Sequence, residues 1–446
     1  MAREMKDSGF AWIKEIPLDW GVYNLRYKFT FGKGLPITKE NLKETGISVI
    51  SYGQIHSKAN TGTTIIPALI RYVDESYLDS NSDSLVHSED FIFADTSEDI
   101  EGCGNCVYVD TDELLFAGYH TIILRSKEKE NNRYLAYLFK SDIWRKQIRE
   151  RVTGVKLFSI SQKILRETTI ILPPKTEQIT IANFLDTECA RIDTVIEQTR
   201  ASIEEYKKLK QAVITQAVAK GIRPNRPMKD SGIDWIGDIP YDWNVVNAHR
   251  IIISTQNGLT RRDLEQSTGH IVLKLKNISP EGVIDYSFIN RIQLSNEELE
   301  KYSLQDGDFL FVRVNGSKAL VGKCAIFHSI DEPVAYNDHI IRVKLSKIID
   351  LYYFQYYLLS NWGRKEIDLR TSTAAGQYTI SGESLRDIVV MLPAIEEQKE
   401  IVLYLSKVCS IIDCLINKKE SLISELENYK KSIIYEYVTG KKEVPL

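Results

Sequence analysis

The sequence predicts an α+β fold: two tandem β-rich domains, each followed by a long α-helix, the two helices pairing as an antiparallel coiled coil with pseudo-two-fold symmetry. Three observations lead there. MKDSGFAWIKEIPLDW at Met5 recurs as MKDSGIDWIGDIPYDW at Met228, with eleven of sixteen positions identical. Further matches follow at nearly constant offset, so the chain is a tandem duplication. After each Leu-Pro, apolar residues at spacings of three and four persist for more than thirty residues.

The totals agree with this reading. A chain of 446 residues favours two or more domains, and 43% hydrophobic with 26% charged residues is ordinary for a soluble protein. The net charge of −4 excludes a polycation, so any nucleic-acid surface must be local. Six cysteines make no disulfide framework, and the N-terminus lacks the apolar core of a signal peptide. No apolar run reaches membrane-spanning length. The expected location is a reducing cytoplasm.

In chain order, the opening phrase supplies Pro17 and Pro240 to stiffen a turn and Trp12, Trp20, Trp235 and Trp243 to anchor a core. Strand-like runs follow, ISVISYGQI and HIVLKLKNI first. DFIF at Asp90 is matched by DFLF at Asp308, GNCVYV by GKCAIF, and YHTIILR by DHIIRV. One helical stretch is expected in each region, RYLAYLFKSDIWRKQIRERV and YYFQYYLLSNWGRKEIDLR. FSISQKILRETTIILPP then pairs with YTISGESLRDIVVMLPA, and the pattern turns helical.

Pro174 and Pro393 suit helix starts, and Glu177, Glu396 and Glu397 favour the positive end of the dipole. The first seam runs through Leu185, Ile192, Ile196, Ile203 and Lys210, the second through Leu405, Ile412, Ile416, Ile423 and Lys430, with Lys419 and Lys430 interrupting it. Thirty-three residues span roughly 50 Å. Each seam most simply satisfies the other; the bland alternative packs each helix on its own half. AKGIRPNRP ends the first helix and links the halves. The expected partition is 1–173, 174–220, 221–393 and 394–446.

Catalytic and metal signatures are lacking. Cys103 and Cys106 form a CxxC without the second pair a zinc site needs. GSKALVGKC has five residues between its glycines, and Cys324 stands where a P-loop needs Ser or Thr. His120 and His339 have no nucleophile signature beside them and read as structural. What recurs is polar decoration. Lys33 and Lys39 lie in a Gly/Pro loop, and Arg261 and Arg262 in its counterpart. Arg145, Lys146 and Arg149 match Arg364 and Lys365, while Arg313 and Lys318 belong to the second half. Such cations suit phosphate contacts, and Gln54 and Asn277 carry amides of the type that reads adenine.

With IPLDW and IPYDW, DFIF and DFLF, GNC and GKC, the SIS and TIS turns, and LPP/LPA with EQ before each helix, the chain resembles specificity subunits of type I DNA restriction–modification systems. The resemblance implies two target recognition domains reading the halves of a bipartite site in double-stranded DNA. It implies that the helices space those domains and dock two methyltransferase subunits, with restriction/translocase subunits joining for cleavage. It also implies no catalytic residue and no cofactor here, S-adenosylmethionine, ATP and magnesium being used by the partners. The family's Gly-x-x-Gln survives loosely as Gly376 and Gln377, a candidate polar contact, but Lys156 and Leu157 stand at the matching place in the first half.

Overall fold

The computed structural model describes residues 3–128, 131–154, 156–261, 268–374 and 376–445. It divides into two compact units, residues 1–199 with 421–446, and residues 200–420. The partition differs from the expected one: each unit takes a β-rich module together with a segment of both long helices.

In the first unit, Cys106–Tyr108, Phe91–Ala94, Thr121–Ser126 and Phe29–Lys33 form an antiparallel sheet in that order. A second sheet orders Arg71–Val73, Ile47–Ile50, Leu115–Ala117 and Leu85–Val86, its central pair parallel. The second unit repeats the first sheet with Ile252–Asn257, Ile340–Leu345, Phe309–Val312 and Cys324–Ile326. It repeats the parallel pair with His270–Leu273 and Val334–Tyr336. The runs FIFA and FLFV are wholly buried, which is why they read as unbroken apolar stretches.

The helical stretch expected in each module is two helices. Asn132–Lys140 and Asp142–Arg149 break at Ser141, and Leu351–Leu359 and Asn361–Arg370 break at Ser360. At the second break the reason is capping. Ser360 accepts the Gly363 N–H at 3.1 Å and returns its own hydroxyl proton to the Tyr357 carbonyl. Phe139 and Trp144 flank the first break with ring centroids 4.4 Å apart and lock the helix pair onto the sheet.

The long helices run over Lys175–Lys220 and Ile395–Val438. Within each unit their segments lie antiparallel. In the first, Phe184 packs tilted against Tyr437 and Lys430 bonds Asp193 at 2.6 Å. In the second, Lys210 bonds Asp413 at 2.7 Å and Lys419 lies over the Tyr206 ring. Leu185, Ile192, Ile196, Ile203, Leu405, Ile412 and Ile416 are buried, and Ile423 is half-buried. Burying each such side chain is worth about 1.5–3 kcal/mol. The seam lysines therefore do not break the pairing, because each meets an acid or a ring of the facing helix.

The helix ends explain the opening phrase. Glu177 accepts the Trp20 indole N–H at 3.0 Å and Glu397 that of Trp243 at 3.1 Å; Arg3 and Arg226 pair with the same two carboxylates. The next residues, Gln178 and Gln398, are buried and donate to the Pro173 and Pro393 carbonyls, both at 2.9 Å. Their side-chain oxygens accept the Asn131 and Asp350 N–H groups. Gly221 and Gly440, at φ +73° and +68°, end the two helices. Tyr134 and Tyr353 donate to the Val438 and Val218 carbonyls there, partnering acceptors that a helix C-terminus leaves open. Trp12 follows expectation, donating to Thr169 at 2.7 Å, whereas its counterpart Trp235 is half-buried beneath the Lys365 ammonium, 4.7 Å above the ring.

Candidate nucleic-acid interface

Three strands of the first unit, Ile47–Ile50, Phe91–Ala94 and Leu115–Ala117, deliver the chain to one edge of the module. There the Asp95 N–H donates to the His120 carbonyl at 3.0 Å, and the Ile160 N–H to the Asp95 carbonyl at 2.7 Å. Phe158–Ser159 pairs with Thr96–Ser97. His56 bonds the Thr96 carbonyl and the Asn105 amide, and the Tyr52 ring sits 5.4 Å from His120 and 5.6 Å from Tyr119. The loop after Lys33 reaches the same edge, Leu35 donating to the Ala117 carbonyl at 2.8 Å. Gly34 is required here, since a Cβ would collide with the Gly118 carbonyl.

The second unit builds the same edge. The Arg313 N–H donates to the His339 carbonyl at 2.7 Å, and the Ile380 N–H to the Arg313 carbonyl at 3.0 Å. Val314–Asn315 pairs with Gln377–Thr379, which pairs in turn with Ser372–Ala374. Leu259 donates to the Tyr336 carbonyl, and Gly258 meets Asn337 as closely as Gly34 meets its neighbour.

The predicted residues divide against this frame. Lys33, at the end of its strand, and Lys39, beyond the loop that follows, are both exposed. Arg261, on the matching loop, pairs with Glu298 at 3.0 Å and donates to the Gln293 carbonyl. Arg262 lies outside the described residues. Gln54 is half-buried and its oxygen accepts the Ser51 N–H at 2.9 Å. Asn277 caps Lys274 the same way, but it is buried and its amide nitrogen donates to the Asp285 and Phe288 carbonyls. Its expected base-reading role is therefore corrected: the side chain is spent on its own loop. Arg313 lies at the second edge with Gln377 exposed nearby, and Lys318 is exposed on the following turn.

The helix arginines are also corrected. Arg145 is buried and donates to the Cys103 and Glu101 carbonyls, and burial pushes its guanidinium down to about 10. Arg149 donates to Glu101 and Asp142. Arg364 holds the Val321 carbonyl at 2.7 Å and pairs with Asp368. These groups brace the turns above them because a turn's carbonyls need donors and the guanidinium fork supplies several. Lys146 is exposed near Glu150, and Lys365 covers Trp235.

Sequence reasoning missed Asp95, Tyr52 and Asn105. His120, expected to be structural, is more than half exposed at φ +55° and contacts Asp95 at 3.2 Å. The signal was present in the duplication, which sets Asp95 opposite Arg313. A cleft of about 560 Å³ opens beside this cluster, lined by Tyr52, His56, Lys58, Asp99, Asn105 and Arg145 among others. Burial pushes the Cys106 thiol up to about 12, so it is no reactive thiolate. Among the described residues no helix is long and apolar enough to cross a membrane.

Comparison with known proteins places this geometry. The family model described as type I restriction modification DNA specificity domain matches residues 17–205 and 267–426. The specificity subunit of the type I restriction enzyme EcoKI of Escherichia coli K12 is 27% identical over 399 residues, covering 87% of this chain and 82% of that protein. The StySPI specificity subunit of Salmonella potsdam is 30% identical over 286 residues, 63% of this chain and 58% of the relative. Among solved structures, one from a study of complex assembly and conformational transition of the type I R-M system superposes with a TM-score of 0.69 at 16% identity, over 96% of this chain and 99% of that one. The HsdS subunit from Thermoanaerobacter tengcongensis gives 0.50 at 16% identity, over 96% and 98%. At such identity these two structures speak for the fold.

Proposed function

The chain belongs to the type I restriction–modification DNA specificity family, and on that premise we propose that each unit reads one half of a bipartite site in double-stranded DNA. Its role in the system is specificity, not catalysis. The observation that carries the proposal is the duplicated edge, where one backbone arrangement holds different side chains in the two units. Two readers with one frame and different chemistry suit a target of two unlike halves.

In this reading Lys33, Lys39 and Lys318 serve phosphates and Gln54, Arg313 and Gln377 serve base edges. The helical segments dock two methyltransferase subunits. Support comes from apolar side chains they leave outside: Val195, Leu422 and Tyr429 in the first unit, Leu209, Leu403 and Ile411 in the second. S-adenosylmethionine, ATP and magnesium are then bound by the methyltransferase and the restriction/translocase subunits, in the cytoplasm.

The test is methylation mapping of genomic DNA from cells carrying this chain with its methyltransferase partner, against cells lacking only this chain. A bipartite adenine-methylated motif that disappears with the chain is expected. An unchanged pattern would remove the proposal.

A further inference from the structure

The two edges share a backbone node whose side chain reverses its chemistry. Asp95 and Arg313 each follow the buried strand FIFA or FLFV, donate backbone N–H to the carbonyl of His120 or His339, and accept from Ile160 or Ile380. They are therefore equivalent by hydrogen bonding as well as by alignment. One is a carboxylate, an acceptor only; the other a guanidinium, a donor only.

Each side chain is held yet incompletely used. The Asp95 Oδ1 accepts from the Thr96 hydroxyl at 2.7 Å and contacts the His120 ring nitrogen at 3.2 Å, while Oδ2 has no partner among the described residues. A third of the side chain is exposed (34%). The Arg313 Nη1 donates to the Asp338 carbonyl at 3.3 Å, and the rest of its fork has no partner among the described residues.

The reversal extends along the turn. DTSEDIEGCGN, residues 95–105, holds four acids and no lysine or arginine; RVNGSKALVGK, residues 313–323, holds three cations and no acid. A turn that met only phosphates would be basic in both copies. A carboxylate next to DNA is tolerated where it meets a donor on a base, and in the major groove the cytosine N4 amine is the donor that acidic side chains accept. The guanidinium fork fits the O6 and N7 acceptors of guanine.

We propose that Asp95 and Arg313 are equivalent specificity-determining positions of opposite polarity, Asp95 reading a cytosine in one half-site and Arg313 a guanine in the other. The inference rests on the DNA-reading role proposed above and deepens it. It gives the copies a simple way to diverge: the frame that presents the residue is kept, and a single side chain converts an acceptor into a donor.

The experiment uses the intact complex with the methyltransferase, assayed on duplexes carrying each single-base substitution in the mapped motif. Asp95→Asn should relax one cytosine position in one half-site, and Arg313→Gln one guanine position in the other. The preference at that base should fall on the order of ten- to a hundredfold, with the opposite half unchanged. Asp95→Glu and Arg313→Lys, assembled and folded as judged by co-purification, should retain part of the preference. Variants that keep every base preference, or that lose activity uniformly across all substrates, overturn the assignment. Failure of the underlying reading is seen separately, as the absence of any motif directed by the unmodified chain.

Discussion

Lys140 closes the first helix of its pair with its ammonium donating to the Gly62 carbonyl at 2.9 Å, and burial lowers it to about 8. Below pH 8 the folded chain carries this charge at a cost; between 8 and the unfolded value the unfolded chain binds the extra proton. Stability contributed through Lys140 therefore rises with pH across that window. Relative to Lys140→Met, the wild type should gain about 2 kcal/mol between pH 7.5 and 9.5 in urea unfolding; parallel curves would show the group to be solvated. Making the comparison in a Cys106→Ser background removes the neighbouring thiol, whose raised value acts in the opposite direction and which couples to Lys140. Residues of this kind also mark the limit of what the sequence discloses. The repeats placed Gln54 and Asn277 at matched edges, but the local loop decides which amide is consumed: residues 285–288 return over Asn277 and take its nitrogen. Arg145 and Arg364 read as surface cations because a charged residue taken singly is most often solvated. The glycine turns above them supply carbonyls that pull them inward.

At the scale of elements, the seam was legible because a spacing of three and four over so many residues has few other uses. Its lysines were not, since pattern alone cannot show Asp193 and Asp413 on the facing helix. The two pairs, Lys430–Asp193 and Lys210–Asp413, are the same contact with the helices exchanged. Their lysines are largely covered but their carboxylates are open to solvent, which screens the pairs and leaves them little stability to contribute; antiparallel register is their better use, because a slipped helix would leave each ammonium among isoleucines. Ile416→Asp, which buries an unpaired carboxylate, should cost about 3–5 kcal/mol, while Lys210→Met should change stability by about 1 kcal/mol or less. Hydrogen exchange over residues 200–216 and 405–420 distinguishes them: protection should collapse in the first variant and persist in the second. Equal loss would mean that the ion pair, not the apolar seam, holds these segments. The paired short helices were legible only as one stretch, for Ser141 and Ser360 look like tolerated helix residues until each hydroxyl is seen to turn back onto the preceding helix, on the Leu138 and Tyr357 carbonyls, and Ser360 to cap the next one.

At the scale of the whole molecule the duplication has a consequence for chain connectivity. In the second unit, Gly221 ends one long helix and Arg226 stands just before the next opening phrase, four residues lying between them. Both pack on Trp243 and Glu397. In the first unit the equivalent positions are Gly440, which packs on Pro17 and Trp20, and Arg3, which lies over Trp20 and pairs with Glu177; Arg3 also comes within 3.8 Å of Glu443. There the two residues come from opposite ends of the sequence. Joining Leu446 directly to Met1 would leave eight residues between Gly440 and Arg3, more than the four that suffice in the second unit. A permutant so joined, and opened between Ile222 and Asn225, should therefore fold, since the break falls in an exposed turn and each long helix stays continuous. Cells carrying it should methylate the same bipartite motif as the parent, with the two halves in the same order. A soluble permutant that directs a different motif would mean that connectivity through residues 221–226 sets the target. An insoluble one would mean that the join strains what Gly221 to Arg226 accommodates.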